Sequence, residues 1–226
     1  MKPTVIIITL MFFVGGCSKS ADSSDGVVTQ FGEEVSGVAT YYDADGSGAC
    51  MFDASPDDMN VAALNAVQWS TSAWCGACAD VSGPDGSVRV RIVDLCPECD
   101  HGHLDMSPQA FDQIAERALG IVDITWQFVS CDVSGPIRYL YKDGSNEWWT
   151  AIQIRNHRLP VASVEWSADG ETWNLTERTE YNYFLDESGF GPDGVRVRVT
   201  AIDGQIIEDD LPPPQSELEI AGTAQF

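Results

Sequence analysis

Asp94-Leu95-Cys96-Pro97-Glu98-Cys99-Asp100-His101-Gly102-His103-Leu104-Asp105-Met106-Ser107-Pro108-Gln109-Ala110-Phe111 is the stretch from which the rest of the chain can be read. It gathers acidic side chains, two histidines and a Cys-x-x-Cys into a loop between a strand and a helix start. On its N-terminal side, Ser87-Val88-Arg89-Val90-Arg91-Ile92-Val93 alternates apolar and polar residues, as a half-buried strand must because successive side chains face opposite ways. Asp94 therefore sits at a strand end. On the other side Ser107 suits an N-cap and Pro108 the first helical position. Ala110, Phe111, Ile114, Ala115 and Ala118 follow at helical spacing, so a helix is expected there, with Asp105 just before it.

Upstream, Ser36-Gly37-Val38-Ala39-Thr40-Tyr41-Tyr42 reads as a strand closed by the turn cluster from Asp43 to Gly48, and a helix is expected after Ser55-Pro56, carrying Met59, Ala62, Ala63 and Leu64. Further strands read out at Cys78 to Val81 and Val122 to Val129. The breaker Asp132-Val133-Ser134-Gly135-Pro136 marks a domain boundary. Beyond it there is no cysteine, and strands recur at close spacing: Ile137 to Tyr141, Trp149 to Ile154, Val161 to Trp166, Trp173 to Leu175, Tyr181 to Leu185 and Val195 to Ile202. That is the pattern of an all-β sandwich. The end of the chain, residues 213–226, reads as a disordered tail.

The N-terminus has a positive Lys2, a short apolar run from Val5 to Val14 and then Gly15-Gly16-Cys17, the layout of an export signal over residues 1–16. Val14-Gly15-Gly16-Cys17 also resembles a bacterial lipobox, which would place lipid on Cys17; an ordinary cleaved signal is the alternative. The apolar run is short for a span, which takes about 20 residues. Residues 17–35 are small and polar, a flexible tether. Setting Cys17 aside leaves Cys50, Cys75, Cys78, Cys96, Cys99 and Cys131, an even set that fits three disulfides. Cys75-x-x-Cys78 and Cys96-x-x-Cys99, with residues 79–95 between them, equally fit a four-cysteine zinc site. Export into an oxidising compartment favours disulfides.

With 35 acidic against 12 basic residues, the formal charge is −23. Binding to nucleic acid or anionic lipid through a basic patch is excluded by that balance, and neutral polymers fit it better.

Gly37-Val38-Ala39-Thr40-Tyr41-Tyr42, Cys75-Gly76-Ala77-Cys78, Val93-Asp94-Leu95-Cys96-Pro97, His103-Leu104-Asp105-Met106-Ser107 and the run from Trp148 to His157 together resemble a microbial expansin, in order and over residues 36 to 212. The resemblance implies a six-stranded double-psi β-barrel at 36–132 and an immunoglobulin-like β-sandwich that binds cellulose at 133–212. It implies a monomer that loosens plant-type walls by disrupting polysaccharide contacts without cleavage, needs no cofactor or metal, and acts on cellulose and related neutral β-glucans. Asp105 matches the family's indispensable aspartate and Asp94 that of its Thr-Asp-Leu segment, with Thr40 and Glu98 at other groove positions. Cys96 stands where the bacterial family often has a tyrosine. The resemblance also implies Cys50–Cys75, Cys78–Cys131 and Cys96–Cys99 pairs, and an aromatic platform of Trp148, Trp149 and Tyr181 with Lys142 beside it. Tyr183 rivals Tyr181, and Trp166 and Trp173 are expected in the sandwich core.

Three points qualify the expectation. Hydrolysis by inversion needs two carboxylates about 6.5–9.5 Å apart, and Asp43 lies near where related hydrolases keep their base, although Asp at that place also suits a turn. A β-glucan endoglucanase or a peptidoglycan lytic transglycosylase is therefore the competing reading. His101 and His103 could ligate a metal beside Asp100 and Asp105, but no further spaced ligand accompanies them. Trp148 and Trp149, if on a strand, would face opposite sides; in a loop both are free.

Overall fold

The computed structural model describes residues 31–226; the export signal, Cys17 and the tether up to residue 30 lie outside them. In chain order the first half gives β1 (Val35–Tyr41), β2 (Val61–Asn65), α1 (Ala66–Trp69), β3 (Cys78–Ser82), β4 (Ser87–Cys96), β5 (Leu104–Met106), α2 (Pro108–Phe111) and β6 (Val122–Val129). The six strands close into a barrel in the order β1-β5-β2-β4-β3-β6, with parallel β1–β5 and β2–β4 pairs among antiparallel ones. Its interior holds Leu64, Ile92, Leu104, Met106, Phe111, Trp126 and Phe128. Trp74 stacks on Phe128 at 3.9 Å between ring centroids.

Both expected helices in this half are corrected. Residues 61–65 form β2, buried throughout; Val-Ala-Ala-Leu-Asn is short and continuously apolar, as suits a strand covered on both faces. Upstream, Ser55 closes a turn, its N–H donating to Asp45 O. The helix at Ser107 has the expected cap, with the Ser107 hydroxyl accepting from Ala110 N and Pro108 at its start, but ends at Phe111. Beyond it the chain runs on in turns, with Gln113 N and Ile114 N donating three residues back to Ala110 O and Phe111 O, and the Ile114 carbonyl accepts from Asp85 N at 2.9 Å. Ile114 and Ala115 still bury themselves in the barrel core, so the apolar spacing reports burial and not helix length.

The second half gives β7 (Arg138–Tyr141), β8 (Thr150–Arg155), β9 (Val161–Ser167), β10 (Asn174–Leu175), β11 (Glu177–Arg178), β12 (Phe184–Asp186), β13 (Val195–Ala201), β14 (Ile206–Leu211) and β15 (Glu219–Ala221). They form sheets β10-β9-β13-β14 and β11-β12-β8-β7-β15, packed over Tyr139, Tyr141, Ile152, Val164, Phe184, Phe190, Val197 and Val199. The expected disordered tail is a correction: β15 pairs antiparallel with β7, Ile137 N donates to Ala224 O, and Phe226 is buried. An edge strand offers unpaired N–H and C=O groups, and this segment satisfies those of β7. β14 alternates Ile207, Asp209 and Leu211 inward; the Asp209 carboxylate accepts from Tyr139 Oη at 2.8 Å and from Thr223 N at 3.0 Å. Trp166 stacks on Phe190 at the core margin, but Trp173 is half-buried beneath the Arg198 guanidinium, 3.8 Å from its ring centroid, and is not core.

The halves meet through buried and half-buried hydrogen bonds. Gln153 Nε2 on β8 donates to Cys50 O at 2.9 Å, Asn182 Nδ2 donates to the same carbonyl at 3.1 Å, and Ser72 Oγ donates to Thr179 O at 2.8 Å. Phe31, expected within the tether, packs against both cores. The disulfides are Cys50–Cys75, Cys78–Cys131 and Cys96–Cys99, the pairs the resemblance implied, so the four cysteines of the zinc alternative are all engaged.

Candidate functional site

Strand register lines up Asp94 of β4, Ala63 of β2, Asp105 of β5 and Thr40 of β1 as successive cross-strand partners. Partners in register share one face of a sheet. It is the face away from the core, since Ala62, Leu64, Leu104, Met106 and Ala39 on either side of them are core residues. Asp94 joins this row through a bulge. Ala62 pairs with Ile92 but Ala63 pairs with Asp94, so Val93 is an inserted residue. With Val88, Val90 and Ile92 inward, an unbroken strand would point residue 94 into the core; one extra residue reverses it. The two aspartates are two strands apart, roughly 10 Å between Cα atoms at the usual strand spacing. Only the methyl group of Ala63 lies between them.

At one end of the row Thr40 Oγ1 donates to Asp105 Oδ1 at 2.6 Å, and His103 Nε2 lies 2.8 Å from the same hydroxyl. A hydroxyl has one proton, and here the carboxylate takes it, so Nε2 of His103 is the donor to Thr40. The loop carrying His103 is fixed from beneath. Asn65 Nδ2 donates to His103 O at 3.2 Å, Gly102 N donates to Gln68 Oε1 at 2.8 Å, and Trp126 Nε1 donates to Gly102 O at 2.9 Å. Gly37 is needed where β1 passes this loop, because a Cβ there would stand 2.0 Å from Gly102 O.

At the other end Asp94 Oδ1 accepts from Ala49 N at 2.7 Å and Leu95 N at 2.8 Å. Gly48 abuts the carboxyl group, where a Cβ would come within 2.4 Å of its carbon. Tyr42 Oη is the one buried side-chain polar atom without a hydrogen-bond partner among the described residues. Burial, and then the charges of Asp94 and Asp105, push its pKa upward, so it stays a neutral O–H. Asp94 is its neighbouring acceptor, at a geometry short of a formed hydrogen bond.

Thr40, Asp105 and Asp94 thus come together, and His103 joins them as a donor to Thr40. Glu98 is exposed in the Cys96–Cys99 turn and Asp43 is exposed in the turn after β1; neither has a hydrogen bond or ion pair to the row. His101 is exposed, and no group of three or more side chains suited to a metal ion occurs among the described residues. Nothing in the sequence singles out Tyr42, Gly48 or Ala63 for this site. The His103-x-Asp105 spacing was a usable signal, because residues two apart on an extended segment face the same way.

The aromatic residues come from the five-stranded sheet. Trp148 and Trp149 occupy the β7–β8 turn, closed by Asn146 N donating to Trp149 O at 2.8 Å and Trp148 N donating to Asn146 Oδ1 at 2.9 Å. The loop arrangement leaves Trp148 73 % exposed and Trp149 half-buried. Tyr181 is half-buried before β12, next to β8, and packs on Tyr183 at 6.0 Å between ring centroids. Tyr183 itself is buried, with Lys142 Nζ 5.7 Å from its ring centroid. Tyr181 is therefore the accessible member of the pair.

Comparison with known proteins bears on both halves. Residues 34–126 match a family described as lytic transglycolase. Expansin-YoaJ of Bacillus subtilis is 33 % identical over 213 residues, covering 92 % of this chain and 87 % of that protein. The chain belongs to the expansin family. Expansin-like protein 1 of Dictyostelium discoideum is 28 % identical and covers 98 % of the chain and 80 % of its own length. Among solved structures, a Clavibacter michiganensis expansin variant in complex with cellohexaose superposes with a TM-score of 0.80 at 29 % identity, covering 85 % of this chain and 98 % of that one. The likeness to an expansin thus runs through barrel and sandwich together.

Proposed function

We propose that this protein binds cellulose and related neutral β-glucans and loosens plant-type walls by disrupting non-covalent polysaccharide contacts, without cleaving a glycosidic bond. The observation that carries the reading is Trp148, 73 % exposed on a hydrogen-bonded turn in a chain similar along both domains to an expansin solved with cellohexaose. The apolar C–H faces of a glucan stack on such a ring without charge, which suits a protein of formal charge −23. Trp148, Trp149 and Tyr181, with Lys142, form the carbohydrate-binding set, and Thr40, Asp94 and Asp105 with Glu98 nearby form the loosening groove. Against hydrolysis stands Asp43, which makes no contact that would hold it as a base facing Asp105. We further propose an exported monomer, held at the cell surface through lipid on Cys17 and spaced by residues 17–30.

The test is mass-spectrometric analysis of soluble glycans after incubation with amorphous cellulose and with peptidoglycan, alongside sedimentation with cellulose. Sedimentation with no released sugar is expected. Cellulose oligosaccharides that vanish in Asp105→Asn or Asp43→Asn would make the protein a hydrolase, and anhydro-sugars from peptidoglycan would make it a transglycosylase.

A further inference from the structure

A cleft of about 530 Å³ lies where the two domains meet, lined by Phe52, Ser55 and Arg91 from the barrel and Arg155 and His157 from the sandwich. Its size is that of a small-molecule site, roughly 300–1,000 Å³. Acidic residues outnumber basic ones 35 to 12 in this chain, so most described arginines are paired with a carboxylate. Arg89, also in the cleft wall, is paired with Asp80 and Asp132, and Arg155 with Asp53. Arg91 has no carboxylate partner among the described residues. Its guanidinium lies over the Phe52 ring, 5.4 Å from the centroid, and spends one of its five N–H groups on a 3.3 Å contact with Ser55 Oγ. None of its nitrogens is buried without a hydrogen-bond partner, and the side chain lines the cleft. Burial pulls the Arg91 pKa down; the nearby charge of Asp58 opposes this, and the positive charge of Arg155 adds to it more weakly. Two guanidinium groups therefore share one cavity and repel each other across it.

We propose that this cleft is a second glycan site, in which Arg91 and Arg155 together take a single carboxylate, that of a uronic acid unit on an otherwise neutral glycan. It rests on the reading of the protein as a glycan binder and goes beyond the neutral glucan platform. A planar guanidinium matches a carboxylate in bidentate fashion, and the Phe52 ring offers an apolar surface to the sugar. A polyanion is rejected by the overall charge of −23 and by Asp53, Asp58 and Asp132 in the cleft wall, whereas one isolated carboxylate is not.

The experiment is calorimetric titration of the exported protein with methyl glucuronoside, with methyl glucoside and sodium acetate as controls, and cellulose sedimentation run in parallel. Glucuronoside is expected to bind at least tenfold more tightly than either control. Arg91→Met should lower that affinity at least tenfold and Arg91→Lys, which keeps the charge but loses the fork, should lower it less. Asp53→Asn should raise it by freeing Arg155, and all three should sediment with cellulose as before. Equal binding of the glucoside, equal binding of acetate, or unchanged affinity in both Arg91 variants would overturn the proposal. Wild-type protein that sediments with cellulose but takes no glucuronoside would overturn it while leaving the glucan reading intact; loss of both would remove both.

Discussion

Acid should unfold this protein partly through one histidine at the domain junction. His157 is buried, and its Nδ1 lies 2.9 Å from Leu159 O, so that nitrogen donates and Nε2 is left as the basic atom. Nε2 faces Gly76, where a Cβ would stand only 2.6 Å away. Burial lowers its pKa from 6.5 to about 4, and the charges of Arg178 and Arg91 act in the same direction, outweighing the contact with Leu159. The neutral form is thus the native one. The unfolded chain binds a proton below about pH 6.5 that the folded chain refuses until about pH 4, so stability is fully present above pH 6.5 and falls as pH drops through this window. Linkage gives a loss of ~1.4 kcal/mol at pH 5.5 and ~3 kcal/mol at pH 4. The assay is urea denaturation at pH 7.0, 5.5 and 4.0 of wild type and His157→Gln, whose side chain does not titrate. Carboxylates elsewhere titrate alike in both proteins, so the difference between the curves isolates His157. The variant should be less stable at pH 7 and lose about 3 kcal/mol less between pH 7 and 4; parallel pH profiles would refute the assignment.

Trp148→Ala should leave the denaturation midpoint within the usual surface range of ±0.5 kcal/mol and cost about 0.5–1.5 kcal/mol of cellulose affinity, read by depletion isotherms. An unchanged isotherm would remove the platform. Gly48→Ala must displace the Asp94 carboxyl group, so it should abolish wall extension in a creep assay while cellulose sedimentation persists; full creep activity would show that Asp94 is not held where the groove needs it. Replacing both cysteines of Cys78–Cys131, which closes a separation of 53 residues, should cost about 4 kcal/mol by loop entropy, whereas Cys96–Cys99, three residues apart, should cost less than half as much. Equal losses in thermal or urea unfolding would give the short bridge a role beyond loop closure.

Much of the groove was legible because its chemistry is local. Thr40, Asp94 and Asp105 stand in short motifs whose strand character follows from period-two alternation, and the all-β sandwich follows from the spacing of its strands. What could not be read depends on register. Alternation through Val88, Val90 and Ile92 predicts an inward Asp94, and only the pairing of Ala63 with Asp94 reveals the bulge at Val93 that turns it outward. An apolar run such as residues 61–65 has no period of its own; pairing with β4 on one edge and β5 on the other decides for strand. The tail looked disordered because Glu219-Ile220-Ala221 is too short to signal a strand, and its reason for being one is the open edge of β7. Tyr42 could not be singled out at all, since its orphaned hydroxyl is a property of what surrounds it.

Register also decides how the two ends of the row of side chains are held. Thr40 and Asp105 are joined by a direct hydrogen bond, so their geometry survives small strand movements. Asp94 is placed by a bulge, by two backbone donors and by the absence of a side chain at Gly48. Its position is therefore a property of the backbone of three segments, β2, β4 and the loop at residues 48–50, and that loop is tied by Cys50–Cys75 and by Gln153 of the sandwich donating to Cys50 O. The sandwich, which carries Trp148, Trp149 and Tyr181, thereby braces the segment that sets Asp94. Separating the domains should then disturb the Asp94 end of the row and spare the Thr40–Asp105 end.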